Sequence, residues 1–347
     1  MSLDDNDKKQ AGTLPNNPAD DSKIVASDAP RVLTVRDLLR GSRIEADKKN
    51  VKSLTTTGNY KLDSITGGMI PGFVWVFGAD TSWGKSSFLV MLVDENLKRK
   101  KRILVVSAED SEKLYGDRLM LRRTRNNANR LRSKKIEPGE RQRMLDVEEK
   151  AEESPVFLDA RGRGVEWVSR NVKQIIREQE IDVVAYDYLQ AFDNEKPQQD
   201  RRNQVTYIAR TLTDITKSLD KTGIIFSQIT IEKGKPMPDK HSIRESRDVS
   251  NAAEVVLLGF CPEKDIMAQA RETGRPPELI VAAGARAILV DKCKNGPRGA
   301  LIAMPWDNDS ACFDTVDDPD TERLRKAAEA AGDFSEFDPD DDWRNRV

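Results

Sequence analysis

The chain has 347 residues, with 57 Lys plus Arg against 59 Asp plus Glu, and its net charge of -2 gives no bulk electrostatic reason to bind nucleic acid; any such binding must come from local patches. No apolar stretch approaches the ~20 residues a membrane span needs, and the polar first residues lack a leader's apolar core, which predicts a cytoplasmic chain with no membrane partner. One histidine (His241) and three cysteines (Cys261, Cys293, Cys312), none at metal-ligand spacing, argue against zinc sites, a disulfide framework and a Ser-His-Asp enzyme.

Residues 1–30 are rich in Asp, Asn, Lys, Ser and Pro and carry few large apolar side chains, so burial cannot offset the entropy of ordering; a disordered tail is expected. Within 31–50, Val35, Leu38 and Leu39 share one helical face behind Thr34 as N-cap, which predicts a short linker helix near 32–40. From about residue 51 to 315, short apolar runs alternate with longer amphipathic segments, the pattern of an α/β fold. The runs 73–77, 103–107, 181–187 and 223–227 read as strands buried on both faces, hence a mainly parallel central sheet flanked by helices over 85–99, 111–123, 165–178 and 203–220. Strands follow at 254–260, 287–292 and 300–304, the last two joined as a C-terminal β-hairpin through a tight turn at Asn295-Gly296. The very charged helical stretch 126–153 and the acidic residues 316–347 do not look like core.

The segment Ala79-Asp80-Thr81-Ser82-Trp83-Gly84-Lys85-Ser86-Ser87 follows a strand and opens an apolar helix, the context of a phosphate-binding P-loop. Backbone N–H groups would surround the phosphates of ATP, Lys85 would supply a point charge, and the Ser86 hydroxyl would ligate Mg²⁺. Ala79 occupies the slot where the motif has Gly, with Gly78 one residue early. Asp187 closes a strand, as a carboxylate that binds Mg²⁺ would, while Glu109 and Gln228 each lie just past a strand. Ligands of open α/β sheets sit outside the carboxyl ends of the strands, so these groups converge on one edge, suited to polarising a water and sensing a γ-phosphate.

Thr66-Gly67-Gly68-Met69-Ile70-Pro71-Gly72, Ser107-Ala108-Glu109, Asp187-Tyr188-Leu189-Gln190, Ser227-Gln228, Ile243-Arg244-Glu245-Ser246, Ala252-Ala253-Glu254-Val255-Val256 and Lys292-Cys293-Lys294-Asn295-Gly296-Pro297 together resemble, in the same order, the ATPase domain of DnaB-type replicative helicases. The resemblance implies a RecA-like core, a hexameric ring with ATP sites between subunits, and movement along single-stranded DNA. It puts Lys85 and Ser86 on phosphate and Mg²⁺, Glu109 as the base for water, Asp187 as the metal-binding acid and Gln228 as the sensor. It also implies that 191–203 and 229–244 face a central channel, making Lys196, Arg201, Arg202, Lys233, Lys235 and Arg244 candidates for backbone-phosphate contacts. Lys292 and Lys294, two apart on a strand, would share a face and reach a neighbour's γ-phosphate. The family has Lys then Arg there, so Lys294 departs at the arginine-finger position, and Arg298 or Arg286 is an alternative. The family's helical N-terminal domain, which builds a collar and meets primase, has no counterpart before residue 30; loading by a separate partner is expected, with primase and a single-strand-binding protein as further partners.

Two surface segments complete the reading. Arg118, Arg122, Arg123, Arg125, Arg130, Arg132, Lys134 and Lys135 are expected to form a solvated helix face, ahead of a contact with DNA or an acidic tail. Residues 333–343 interleave acids with Phe334, Phe337 and Trp343, which suits a docking motif. The expected function is an ATP-driven helicase; the alternatives are a RecA-like recombination ATPase and an ATP-gated DNA-binding adaptor.

Overall fold

The structure, a computed structural model, describes residues 34–46, 55–80, 82–154, 156–194, 200–230, 238–239, 242–243, 247–261 and 286–317. The expected disordered tail and the acidic docking motif lie outside the described residues. The chain divides into two units, residues 1–49 and 50–347. The first contains α1 (Val35–Ala46), which runs past the predicted end, and Val35, Leu38 and Leu39 are all exposed on it.

The second unit carries, in chain order, α2 (Tyr60–Thr66), β1 (Val74–Ala79), α3 (Lys85–Lys98), β2 (Ile103–Ser107), α4 (Glu112–Thr124), α5 (Ala128–Arg132), α6 (Pro138–Glu149), β3 (Phe157–Asp159), α7 (Val165–Gln179), β4 (Val183–Asp187), α8 (Arg201–Ser218), β5 (Thr222–Gln228), α9 (Arg247–Ala252), β6 (Val255–Phe260), β7 (Arg286–Cys293), β8 (Leu301–Met304) and the short ribbon β9 (Trp306–Asp307) and β10 (Cys312–Phe313). One eight-stranded sheet runs β3-β2-β4-β5-β1-β6-β7-β8. The pairs from β3 to β6 are parallel and β7 and β8 are antiparallel.

Burial on both faces explains the near-continuous apolar strands. Along β1, Trp75, Phe77 and Ala79 enter the core on the α3 side, while Val74 and Val76 enter the core under α7 and α8. Helix α7 buries Val165, Val168, Val172 and Ile176, the three-and-four spacing of one helical stripe. Sequence reading missed α2, α9, β3 and the β9–β10 ribbon, whose apolar runs are too short to show a period, while the charged helical stretch expected over 126–153 forms as α5 and α6. The hairpin forms, but its turn is not the tight one expected. Seven residues separate β7 from β8, and Gly296 is required by proximity: a Cβ there would lie 2.1 Å from the Ile65 carbonyl oxygen.

The arginine-rich stretch is a solvated face only in part: Arg125, Arg132, Lys134 and Lys135 are exposed, but the arginines of α4 turn inward. Arg122 is buried between Asp94 (3.3 Å) and Glu95 (2.5 Å) of α3 and also donates to the Phe313 carbonyl. Arg123 pairs with Asp94 and Glu152, Arg125 with Asp314, and Arg130 with Glu140. Burial works to raise the Asp94 and Glu95 carboxyls, but Lys98 and the arginines outweigh it and hold both below their ordinary values. Stability from these depressed carboxyls is present above their ordinary values of 3.8 and 4.5 and is lost as pH falls through the lower folded ones. Arg122→Ala, which leaves buried carboxylates less compensated, is expected to cost about 3–5 kcal/mol near neutral pH. Urea unfolding at pH 7 and again below pH 4 measures it, and the deficit should shrink in acid.

Candidate functional site

Strand β1 ends at Ala79, and after the turn closed by the Trp83 N–H on the Asp80 carbonyl (3.1 Å) the chain enters α3 at Lys85. Gly84 precedes that helix with φ 100°, and no side chain caps the helix start. A free helix N-terminus with its N–H groups unspent is an anion cradle. Glycine is needed at 84 for the backbone and for space, since a Cβ would sit 3.1 Å from Trp306 and 3.3 Å from Phe313. The departures from the motif have local causes. Gly78 faces Ile229, where a Cβ would approach to 2.6 Å, and Ala79 is buried inside the sheet between Gln228 and Gly259.

The expected loop residues divide in role. Asp80 and Ser82 are exposed, and Thr81 lies outside the described residues. The Trp83 side chain does not face the cradle; it is buried against Phe77 and Phe313, and its indole N–H donates to the Phe260 and Ala287 carbonyls. The Ser87 hydroxyl donates to the Ala311 carbonyl, whereas the Ser86 hydroxyl has no partner among the described residues. Lys85 Nζ lies 4.0 Å from Asp187 Oδ1 and 3.8 Å from the centre of the Tyr188 ring.

Parallel pairing brings the ends of β2, β4 and β5 to the same edge as the loop. Asp187, at the end of β4, is buried, and its Oδ1 has no hydrogen-bond partner among the described residues. Burial raises its carboxyl to about 6, against the pull of Lys85, with Asp110 and Glu109 adding to the rise. Burial likewise lowers Lys85, with Asp187, Glu109 and Asp110 opposing. At 4.0 Å the two groups make no direct hydrogen bond, and desolvation outweighs their attraction, so a ligand between them gains contacts on both sides. Glu109 is exposed on the rim. Asp110, which sequence reading passed over, is buried beside it, with Arg118 at 2.5 Å and its own N–H on Ser107 Oγ. The signal was its position next to Glu109 ahead of a Ser111-capped helix. Gln190 ties β4's exit to β5: its Nε2 donates to Ser227 Oγ and its Oε1 accepts the Gln228 N–H, leaving the half-buried Gln228 side chain at the edge. A lone buried carboxylate oxygen, an open hydroxyl, a lysine and an uncapped helix start are the donor set that Mg²⁺ and a phosphate chain require.

The lysines of the hairpin lie elsewhere. Val255 pairs with Cys293, and the Lys294 N–H donates to the Glu254 carbonyl, which puts both lysines at the amino-terminal edge of the parallel strands. That edge is about 13 Å along β6 from the end that bears the loop. Lys292 spends its ammonium on the carbonyls of Ser250, Asn251 and Ala253 (3.2, 2.9 and 2.6 Å), the C-terminal end of α9. The expected outward pair is therefore one anchored lysine and one exposed lysine, Lys294. Arg286 is corrected too: at the loop end of β7 it donates from Nε to the Trp83 carbonyl at 2.6 Å and lies 3.5 Å over the Trp306 ring, within its own chain. Arg298 is exposed in the turn. A cavity of about 630 Å³ opens at the loop-distant edge, between Lys100, Arg102, Arg177, Asp182 and Lys221.

Of the candidate DNA contacts, Lys196, Lys233, Lys235 and Arg244 lie outside the described residues. Arg201 donates to the Gln190 carbonyl (2.6 Å) and to Gln204, and Arg202 is exposed. The 229–244 segment leaves and returns at one place, where Ile229 bridges Ile243 and the Thr230 N–H donates to the Ser242 carbonyl.

Comparison with known proteins agrees with this arrangement. The profile of the family described as DnaB-like helicase C terminal domain matches residues 55–315. A probable replicative DNA helicase of Trieres chinensis is 25% identical over 217 residues, covering 60% of this chain and 48% of the relative. The replicative DNA helicase DnaB of Geobacillus stearothermophilus is 22% identical over 251 residues, covering 71% and 53%. The chain thus spans about half the length of the curated relatives it matches. Among solved structures, a DnaB-like replicative helicase described with its interactions with primase superposes with TM-score 0.68 at 18% identity, covering 84% of this chain and 68% of that one. A second solved structure, an ATPase domain on its own, gives 0.68 at 19%, covering 81% and 97%. With a parallel sheet, an uncapped loop-to-helix cradle and a profile match over most of its length, the chain belongs to the DnaB-like helicase C-terminal domain family.

Proposed function

We propose that this chain is the motor of a replicative-type helicase, hydrolysing ATP between the subunits of a hexameric ring and moving along single-stranded DNA. The observation that carries the reading is the convergence of Lys85, Glu109, Asp187 and Gln228 on the strand edge beside the uncapped start of α3, with a buried Asp187 oxygen left unpartnered. In this reading Lys85 and the loop N–H groups hold the phosphates of ATP, and Ser86 and Asp187 hold Mg²⁺, which supplies charge neutralisation at the phosphates. Glu109 accepts a proton from the water that attacks the γ-phosphorus as the bond to ADP breaks, and Gln228 hydrogen-bonds the γ-phosphate.

A ring is supported by placement. Lys294 is on the edge opposite its own loop, so the only γ-phosphate within its reach belongs to another copy. The exposed apolar face of α1 suits packing on a neighbouring subunit. Arg201 and Arg202 at the start of α8, with Lys196, Lys233, Lys235 and Arg244, are proposed to contact the DNA backbone. Primase, a loader and a single-strand-binding protein are the proposed protein partners. A second reading, an ATP-gated DNA-binding adaptor with slow turnover, is favoured by one observation: Lys292 is committed to α9 and Lys294 lacks the guanidinium fork. Nothing in the geometry favours a recombination ATPase.

Three outcomes are expected. Lys85→Ala should abolish nucleotide binding and lower turnover by about 10²–10³-fold, whereas Glu109→Gln should keep ATP bound and lose about 10²–10⁴-fold in hydrolysis; equilibrium binding and single-turnover assays separate the two. At the Asp187 carboxylate, whose pKa is raised to about 6, protons compete with Mg²⁺. Below that pH, apparent Mg²⁺ affinity in the ATPase assay should fall about tenfold per unit, and a flat profile from pH 7 to 5 sinks the assignment. Finally, ATPase activity should rise with single-stranded DNA and accompany strand displacement on a forked duplex. Hydrolysis without displacement selects the adaptor.

A further inference from the structure

Trp83 is held at both ends. Its indole N–H donates to the carbonyls of Phe260 and Ala287, each at 3.1 Å, and its own carbonyl accepts the Arg286 Nε–H at 2.6 Å. The Arg286 guanidinium is itself fixed, lying 3.5 Å over the Trp306 ring, and Trp306 and Phe313 crowd the next residue, Gly84. A peptide group is planar and trans, so the Trp83 carbonyl and the Gly84 N–H point in opposite directions. The Gly84 N–H has no partner among the described residues.

We infer that Arg286 is a positioning residue for the phosphate loop: by binding the Trp83 carbonyl on the outer side, it aims the Gly84 N–H into the cradle, where a nucleotide phosphate accepts it. The device is needed because glycine at φ 100° tolerates either orientation of the preceding peptide. Rotated by half a turn, that peptide would present its carbonyl oxygen to the phosphates and repel them. A charged donor is roughly twice as strong as a neutral one and polarises the peptide it binds, which strengthens the opposite N–H as a donor. The stack on Trp306 keeps the fork at a fixed angle, which a flexible ammonium cannot do.

This inference rests on the reading of the loop as a phosphate site, and the experiment separates the two. The probe is the fluorescent nucleotide N-methylanthraniloyl-ADP with MgCl₂, titrated into the full chain as wild type, Lys85→Ala, Arg286→Ala, Arg286→Gln and Arg286→Lys, with the thermal midpoint of each recorded. Arg286→Ala is expected to weaken binding about tenfold, or 1.4 kcal/mol. Arg286→Lys should recover part of the loss, because it still donates a charged N–H to the carbonyl though without the fixed angle, and Arg286→Gln should fall between Ala and Lys. In hydrolysis assays the Arg286 variants should raise KM for ATP while kcat stays near wild type. If wild type fails to bind the probe, the phosphate-site reading itself is wrong. If wild type binds, Lys85→Ala does not, and the Arg286 variants match wild type, only the role of Arg286 is overturned. It is also overturned if the losses follow the thermal midpoints and not the charge at 286. Should Arg286→Ala fail to fold, the order of the Lys and Gln variants decides.

Discussion

The parallel pairing of β1 between β5 and β6 is the constraint on which the remaining architecture depends. Six parallel registers with β5 and five with β6 fix where Ala79 ends, and so where the loop begins. The same pairings fix Gln228 beside Ala79 and, through β4, bring Asp187 to the same edge. The strand's other end is fixed as firmly: Glu254 accepts the Val74 N–H, pairs with Lys217 at 2.9 Å, and offers its carbonyl to Lys294. Because all parallel strands point one way, the edges differ in chemistry. One collects acids and a phosphate cradle, the other collects lysines.

The strands and long helices were legible in the sequence because each is buried in a way that leaves a period: continuous for the central strands, three-and-four for α7. The loop, Asp187, Glu109 and Gln228 were legible as candidates because each ends or follows a strand. What stayed hidden depends on contacts distant in sequence. Nothing near Arg286 says that it will reach back to Trp83, and nothing near Lys292 says that three carbonyls of α9 will claim its ammonium. Asn295-Gly296 looked like turn chemistry, yet Gly296 is glycine because the Ile65 carbonyl passes too close for a Cβ. The arginines of α4 looked solvated for a related reason: their acidic partners, Asp94 and Glu95, lie in an apolar helix some 28 residues earlier.

Those ion pairs serve position more than stability. A buried pair gains less than its Coulomb attraction suggests, since desolvation opposes it, but removal of one partner is costly. Arg122 therefore fixes where α4 and the strand containing Phe313 sit relative to α3. Phe313 in turn packs on Trp83 and near Gly84. A charge cluster far from the loop in sequence thereby shapes the wall behind it.

The contact between Gly78 and the base of the 229–244 segment has a mechanical meaning. A Cβ at 78 would meet the Ile229 side chain at 2.6 Å and the Ile243 side chain at 3.4 Å, so the side chains at the two ends of the proposed DNA loop rest directly on the backbone of the strand that feeds the phosphate cradle. Close-packed interiors compress little and transmit displacement directly. A shift at the end of β1 is then a shift of the loop's footing by a similar amount, as in a gear train cut without backlash. A residue with no side chain sets the tolerance of that linkage.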